Sequence, residues 1–149
     1  MIQAIQEQEL TLTTNTDAVT FSDTDLRTNS ANCFNGWLNH NEGSAAFNIV
    51  MGGLYEIDFN ANVTSATAGI VGLGIFADGT KLSGTEMDEV ITAVGDYHNV
   101  SASKLIRVCG RGSISITIDS IPAIVFDGTS TETEIPILKN AQISIRKLA

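Results

Sequence analysis

Few residues in this 149-residue chain have the types and spacing that chemistry needs. His40 and His98 are the two histidines, and Asp96 stands two positions before His98. A zinc site takes three or four converging ligands, so each histidine reads as a surface or loop residue. Asp23-x-Asp25 begins like a calcium loop. It lacks the glycine and the distal glutamate that an EF-hand requires. Glu86, Asp88 and Glu89 form an acidic cluster that reads as a solvated loop. No G-x-S-x-G elbow, H-E-x-x-H pair, phosphate loop or C-x-x-C motif occurs. Cys33 and Cys109 are too few for a disulfide framework and read as reduced thiols. The sequence therefore predicts no catalytic residue, no cofactor and no metal site.

Charge narrows the partners. The net charge is -9, and the eight Lys and Arg are scattered apart from Arg107/Arg111 and Arg146-Lys147. Nucleic-acid binding needs basic residues gathered on one face, so no nucleic-acid partner is expected. No stretch reaches the 18 or so apolar residues of a membrane helix, so no membrane partner is expected either. The opening MIQAIQEQEL has no basic start and no apolar core of export-signal length. That predicts synthesis in a cytoplasm. Asn62-Val63-Thr64 and Asn99-Val100-Ser101 fit a glycosylation acceptor pattern, which without secretion is coincidence.

The elements that would position any site are strands. Charged residues are only 17% of the chain, and Ser, Thr, Asn and Gly take up the difference. The organising stretch is residues 52–79. Tyr55, Ile57, Phe59, Ala61 and Val63 alternate with Glu56, Asp58, Asn60 and Asn62, the period of a strand with one buried face. Residues 68–77 are apolar on both faces, with Gly72 and Gly74 among Ile70, Val71, Leu73, Ile75 and Phe76. Such a strand needs cover on both sides. The sequence predicts a second copy of the chain as that cover. Asp78-Gly79 predicts a hairpin turn. Further strands are expected around residues 9–13, 19–21, 44–51, 99–109, 113–119, 124–126 and 141–147. Residues 83–96 read as an excursion ending in a strand. Residues 1–16 read as a polar N-terminal arm, and residues 17–149 as one all-β domain, a sandwich or barrel.

The run Gly53-Leu54-Tyr55-Glu56-Ile57-Asp58-Phe59 resembles the Gly-x-Tyr strand of the C1q/TNF-like jelly roll. Leu73 to Lys81 is similar to that family's next strand and turn, and Ile106 to Ile116 to the pair after it. Ala141-Gln142-Ile143-Ser144-Ile145 sits where its final strand sits. The resemblance covers roughly residues 17–149. It implies a two-sheet antiparallel jelly roll that assembles as a homotrimer, a kind that in some cases holds a cation. The chain lacks the family's collagen-like stalk and an export signal. Trimeric heads without either resemble bacteriophage decoration and head-fibre proteins, which implies residence in the virion and a capsid or other virion partner.

On this reading the trimer interface is carried by Tyr55, Ile70, Gly72, Leu73, Gly74 and Phe76. Ile2, Ile5, Leu10 and Leu12 of the arm would anchor the particle partner. The alternative is a lectin-like jelly roll whose glycan contact is Trp37 or Tyr97, because jelly rolls also host lectins.

Overall fold

The computed structural model describes residues 1–14, 16–27, 36–110, 113–122 and 133–149. The strand expected at residues 124–126, together with Cys33 and Arg111, lies outside them. Among the described residues there is no helix.

The longest strand is β6 (Gly53–Ser65), and it forms where the alternation is strictest. It pairs on one side with β10 (His98–Val108) and on the other with β12 (Pro136–Lys147). β1 (Ile2–Gln6) pairs beyond β12, and β3 (Asp23–Arg27) beyond β1. These strands form sheet A, ordered β10-β6-β12-β1-β3, with β2 (Leu10–Thr11) also on β12. Sheet B is ordered β4 (Leu38–His40), β5 (Phe47–Ile49), β11 (Ile114–Ser120), β7 (Gly69–Ala77), β8 (Thr80–Lys81). β9 (Met87–Ile91) also pairs with β7. Every ladder between these strands is antiparallel.

The core is the sandwich filling. Tyr55, Ile57, Phe59, Ala61 and Val63 of β6 face Val71, Leu73 and Ile75 of β7 and Ile116 and Ile118 of β11, all buried. Phe47 packs edge-on against Phe21, ring centres 5.4 Å apart. Residues 19–21 serve this core without the strand expected there: Val19 and Phe21 are fully buried, and the regular strand begins at Asp23.

Three local devices shape the sheets. At the Asp78-Gly79 turn both residues have positive φ, 47° and 75°. That backbone matches the twist of the flanking strands, as the dipeptide predicts. Between β8 and β9 the ladder is interrupted, and buried Thr85 fills the gap. Its hydroxyl accepts from the Ile75 amide at 3.1 Å and donates to the Leu82 carbonyl at 2.7 Å. In β12 the register slips between Lys139 and Gln142, with Asn140 at φ 51°. One extra residue there reverses the side-chain phase, so Leu138 and Ala141 both point inward. Across the bulge the strand expected at residues 141–147 extends back to Pro136.

Two expectations change. The arm at residues 1–16 is woven into the domain: β1 lies between β12 and β3, with Ile2 and Ala4 in the core. Leu12 is buried as well. The cause is alternation: Ile2, Ala4 and Gln6 point inward while Gln3 and Ile5 point out. At Gly72 and Gly74 the second cover of β7 comes from its own chain. A Cβ on Gly72 would meet the Ile121 carbonyl and the Asp88 carboxylate at 2.8 Å, and one on Gly74 would meet the Lys81 stem at 3.3 Å. The glycines admit these close neighbours.

Candidate functional site

The chemistry-bearing residues do not converge. His40, expected on the surface, is buried on β4 and stacked on Phe47 with ring centres 4.1 Å apart. Its Nε2 lies 3.0 Å from the Ser44 carbonyl and its Nδ1 3.2 Å from the Thr24 hydroxyl. These contacts make it a packing residue, which its isolation in sequence could not reveal. His98 Nδ1 lies 2.8 Å from a Glu89 carboxylate oxygen and bridges sheet A to sheet B. Among the described residues no three His, Cys, Asp or Glu side chains are grouped to hold a metal ion. Asp25 lines a shallow cavity of about 340 Å³ on the outer face of sheet A, with Gln3, Ile5, Glu7, Asn140, Ala141 and Gln142.

The expected glycan contacts are far apart. Trp37 is half-buried, and its ring centre is 5.5 Å from that of Tyr55. Tyr97 lies at the other end of β6, beside the rung His98–Val63. The eight residue steps from Tyr55 to Val63 span roughly 26 Å. Lys139 covers the Tyr97 ring at 3.7 Å, and the phenol donates to Glu9 at 2.7 Å. That hydrogen bond, with smaller help from burial, pushes the phenol up to about 12. Tyr97 is thus a staple between β12 and the segment before β2.

The expected interface residues divide. Tyr55 is 0% exposed, and its hydroxyl donates to the Met51 carbonyl at 2.6 Å. Leu73 is 1% exposed, and Gly72 and Gly74 are buried. Those four are covered within one chain. Ile70 and Phe76 keep part of their surface on the outer face of β7, and Val90 across from Ile70 is exposed. Of the expected anchoring residues, Ile5 and Leu10 keep part of theirs.

Electrostatics at the Asp88 end of sheet B have one consequence. Asp119 on β11 sits opposite Gly74, and its Oδ1 is buried with no hydrogen-bond partner among the described residues. Burial raises its pKa, against a lowering hydrogen bond with Thr117. Burial and the Glu86 charge raise Asp88 too, against Lys81. Asp17 is the opposite case. Hydrogen bonds from Thr13 and Thr14, the Thr13 hydroxyl foremost, hold it down to about 2.

The signs follow. A depressed carboxyl adds stability above its unfolded value near 4, lost as pH falls towards 2. A raised carboxyl does the reverse: the folded state holds the proton more tightly, so stability falls as pH climbs from about 4 through the raised value. Asp119→Asn is therefore expected to raise the thermal midpoint at pH 7 and leave it nearly unchanged at pH 3. Calorimetry at the two pH values checks this, and an equal shift at both would refute it.

Comparison with solved structures falls on the architecture just described. The globular domain of zebrafish complement 1qA superposes over 99% of this chain and 96% of its own, with a TM-score of 0.64 at 13% identity. Murine APRIL at pH 5.0 superposes over 99% and 97%, with a TM-score of 0.62 at 11% identity. The fold is the C1q/TNF-like jelly roll. No family model matches the sequence, and no curated protein does. At 11–13% identity the likeness is one of fold alone. The jelly roll accounts for the two sheets and for β1 as an integral strand.

Proposed function

We propose that this chain is a non-enzymatic, homotrimeric jelly-roll module and a structural or decoration component of a bacteriophage particle. The observation that carries the reading is a C1q/TNF-like fold spanning 99% of the chain. Composition supports the particle half of it: an acidic chain, rich in Thr, Asn and Gly, with no motif for catalysis. Attachment through residues 1–16 is not part of the proposal, because Ile2 and Leu12 are used by the core.

Light scattering should give a mass three times that of the 15.8 kDa chain. Two exposed positions read which sheet faces the axis. Asn60→Arg places a charge in the middle of sheet A's outer face, and Val90→Arg places one beside Ile70 on sheet B. One of them should give a monomer with an unchanged circular dichroism spectrum. A monomeric wild type removes the trimer. Proteomics of density-purified phage particles tests the location, and absence of the chain from them removes the virion assignment.

A further inference from the structure

Sheet A carries two bulges, and both open onto one part of its outer face. Along β3 the register with β1 slips: Gln3 pairs with Leu26 and Ala4 with Thr24, so Asp25 is left as the extra residue. Along β12 the extra residue lies at Asn140, with φ 51°. β1 runs between these two strands. Its Gln3 and Ile5 point outward, and Gln142 shares the Ile5 rung and therefore the same face. Asp25, Asn140, Gln3, Ile5, Gln142 and Glu7 line the cavity of about 340 Å³ together. The Asn140 amide donates to the Glu7 carbonyl at 3.4 Å, which ties the β12 bulge to the end of β1. Bulges recur beside functional sites, where they re-aim a side chain.

The lining decides what fits. Gln3, Asn140 and Gln142 bring carboxamides, Glu7 and Asp25 carboxylates, and Ile5 an apolar contact. None of these five polar side chains makes a hydrogen bond or ion pair among the described residues. Carboxamides donate and accept, and carboxylates accept. A hydroxyl also does both, so a ligand presenting several hydroxyls answers the whole set. A phosphate or other anion would meet Glu7 and Asp25, with no Lys, Arg or His in the lining. An organic cation would use the carboxylates and leave the carboxamide N–H groups unanswered. For a metal ion, no three charged ligands are grouped among the described residues. The volume lies at the lower end of the range for small-ligand sites, about 300–1,000 Å³.

We infer that the cavity between the two bulges binds a neutral saccharide. Gln3, Asn140 and Gln142 exchange hydrogen bonds with its hydroxyls, Glu7 and Asp25 accept from them, and Ile5 meets the C–H surface of a ring. The site is separate from Trp37 and Tyr97, and it rests on neither the trimer nor the virion. The test applies the whole protein to an array of neutral mono- and oligosaccharides. The glycan with the strongest signal is then titrated by calorimetry, with agmatine and calcium chloride titrated beside it.

The glycan should bind with an affinity that salt does not change, since it carries no charge. Asn140→Gly keeps the backbone, because glycine adopts positive φ freely. It should lose ~3–10-fold in affinity, as one hydrogen bond is removed, and Gln142→Ala should lose a similar factor. Glu7→Gln/Asp25→Asn should stay within ~3-fold of the wild type, because an amide oxygen still accepts. All three variants should keep the wild-type mass. An array with no neutral glycan bound overturns the inference, and so does a glycan whose affinity Asn140→Gly and Gln142→Ala leave unchanged. Agmatine or calcium binding more tightly than the glycan, and lost in the Glu7→Gln/Asp25→Asn variant, would make this a cation site instead. A lower mass in Gln142→Ala would make it a contact between copies.

Discussion

A chain lacking residues 1–6 is expected to lose its cooperative unfolding transition. β1 sits between β12 and β3, so its removal breaks two ladders and leaves β3 without a neighbour. Ile2 and Ala4 leave the core, and the inner faces of Ile143 and Ile145 lose cover on one side. Burying one isoleucine is worth about 1.5–3 kcal/mol. The broken ladders and the newly wetted neighbours add to it, and the total approaches the ~5–15 kcal/mol that holds a whole domain. Thermal melting followed by circular dichroism checks this. A transition as sharp as that of the full chain, within about 5 °C of it, would mean that residues 1–6 are an arm after all. Such a shift corresponds to only about 1–2 kcal/mol in a domain of this size.

The second large effect is at Gly72. Gly72→Val puts a Cβ 2.8 Å from the Ile121 carbonyl oxygen and from Asp88 Oδ1, and 3.0 Å from Ile121 Cγ1. The carbonyl cannot give way freely, because the Ile121 amide donates to the Gly72 carbonyl at 3.0 Å. Valine is otherwise favoured in strands, so the clash alone sets the sign. Overpacking of this kind costs about 1–3 kcal/mol, which lowers the midpoint of a domain this size by about 3–10 °C. The mass by light scattering should stay that of the wild type. A lower mass with an unchanged midpoint would instead make Gly72 a contact between copies. An unchanged midpoint and mass would mean that the site is open.

The fold was legible where one face of a strand is wet. From Tyr55 to Val63 the alternation assigns each residue a side, and every inward one is buried. The same holds for Ile116 and Ile118, and for Val100 and Val108. The alternation Ile-x-Ala in residues 2–4 was equally present, but five polar or charged residues among the first nine outweighed it in composition. For β7 the sequence showed that both faces need cover. It could not show that Lys81, Asp88 and Ile121 supply that cover, because those side chains reach β7 only through the pairing of β8, β9 and β11.

The sequence by itself determined that this chain is all-β, where its best strand lies and how the Asp78-Gly79 turn closes, since each depends on local period and backbone freedom. Tertiary structure alone decided that residues 2–6 and 10–11 are strands of sheet A and that four of the expected interface residues are buried within one chain. Those outcomes depend on which strands pair, and pairing is set by contacts between residues far apart in the chain.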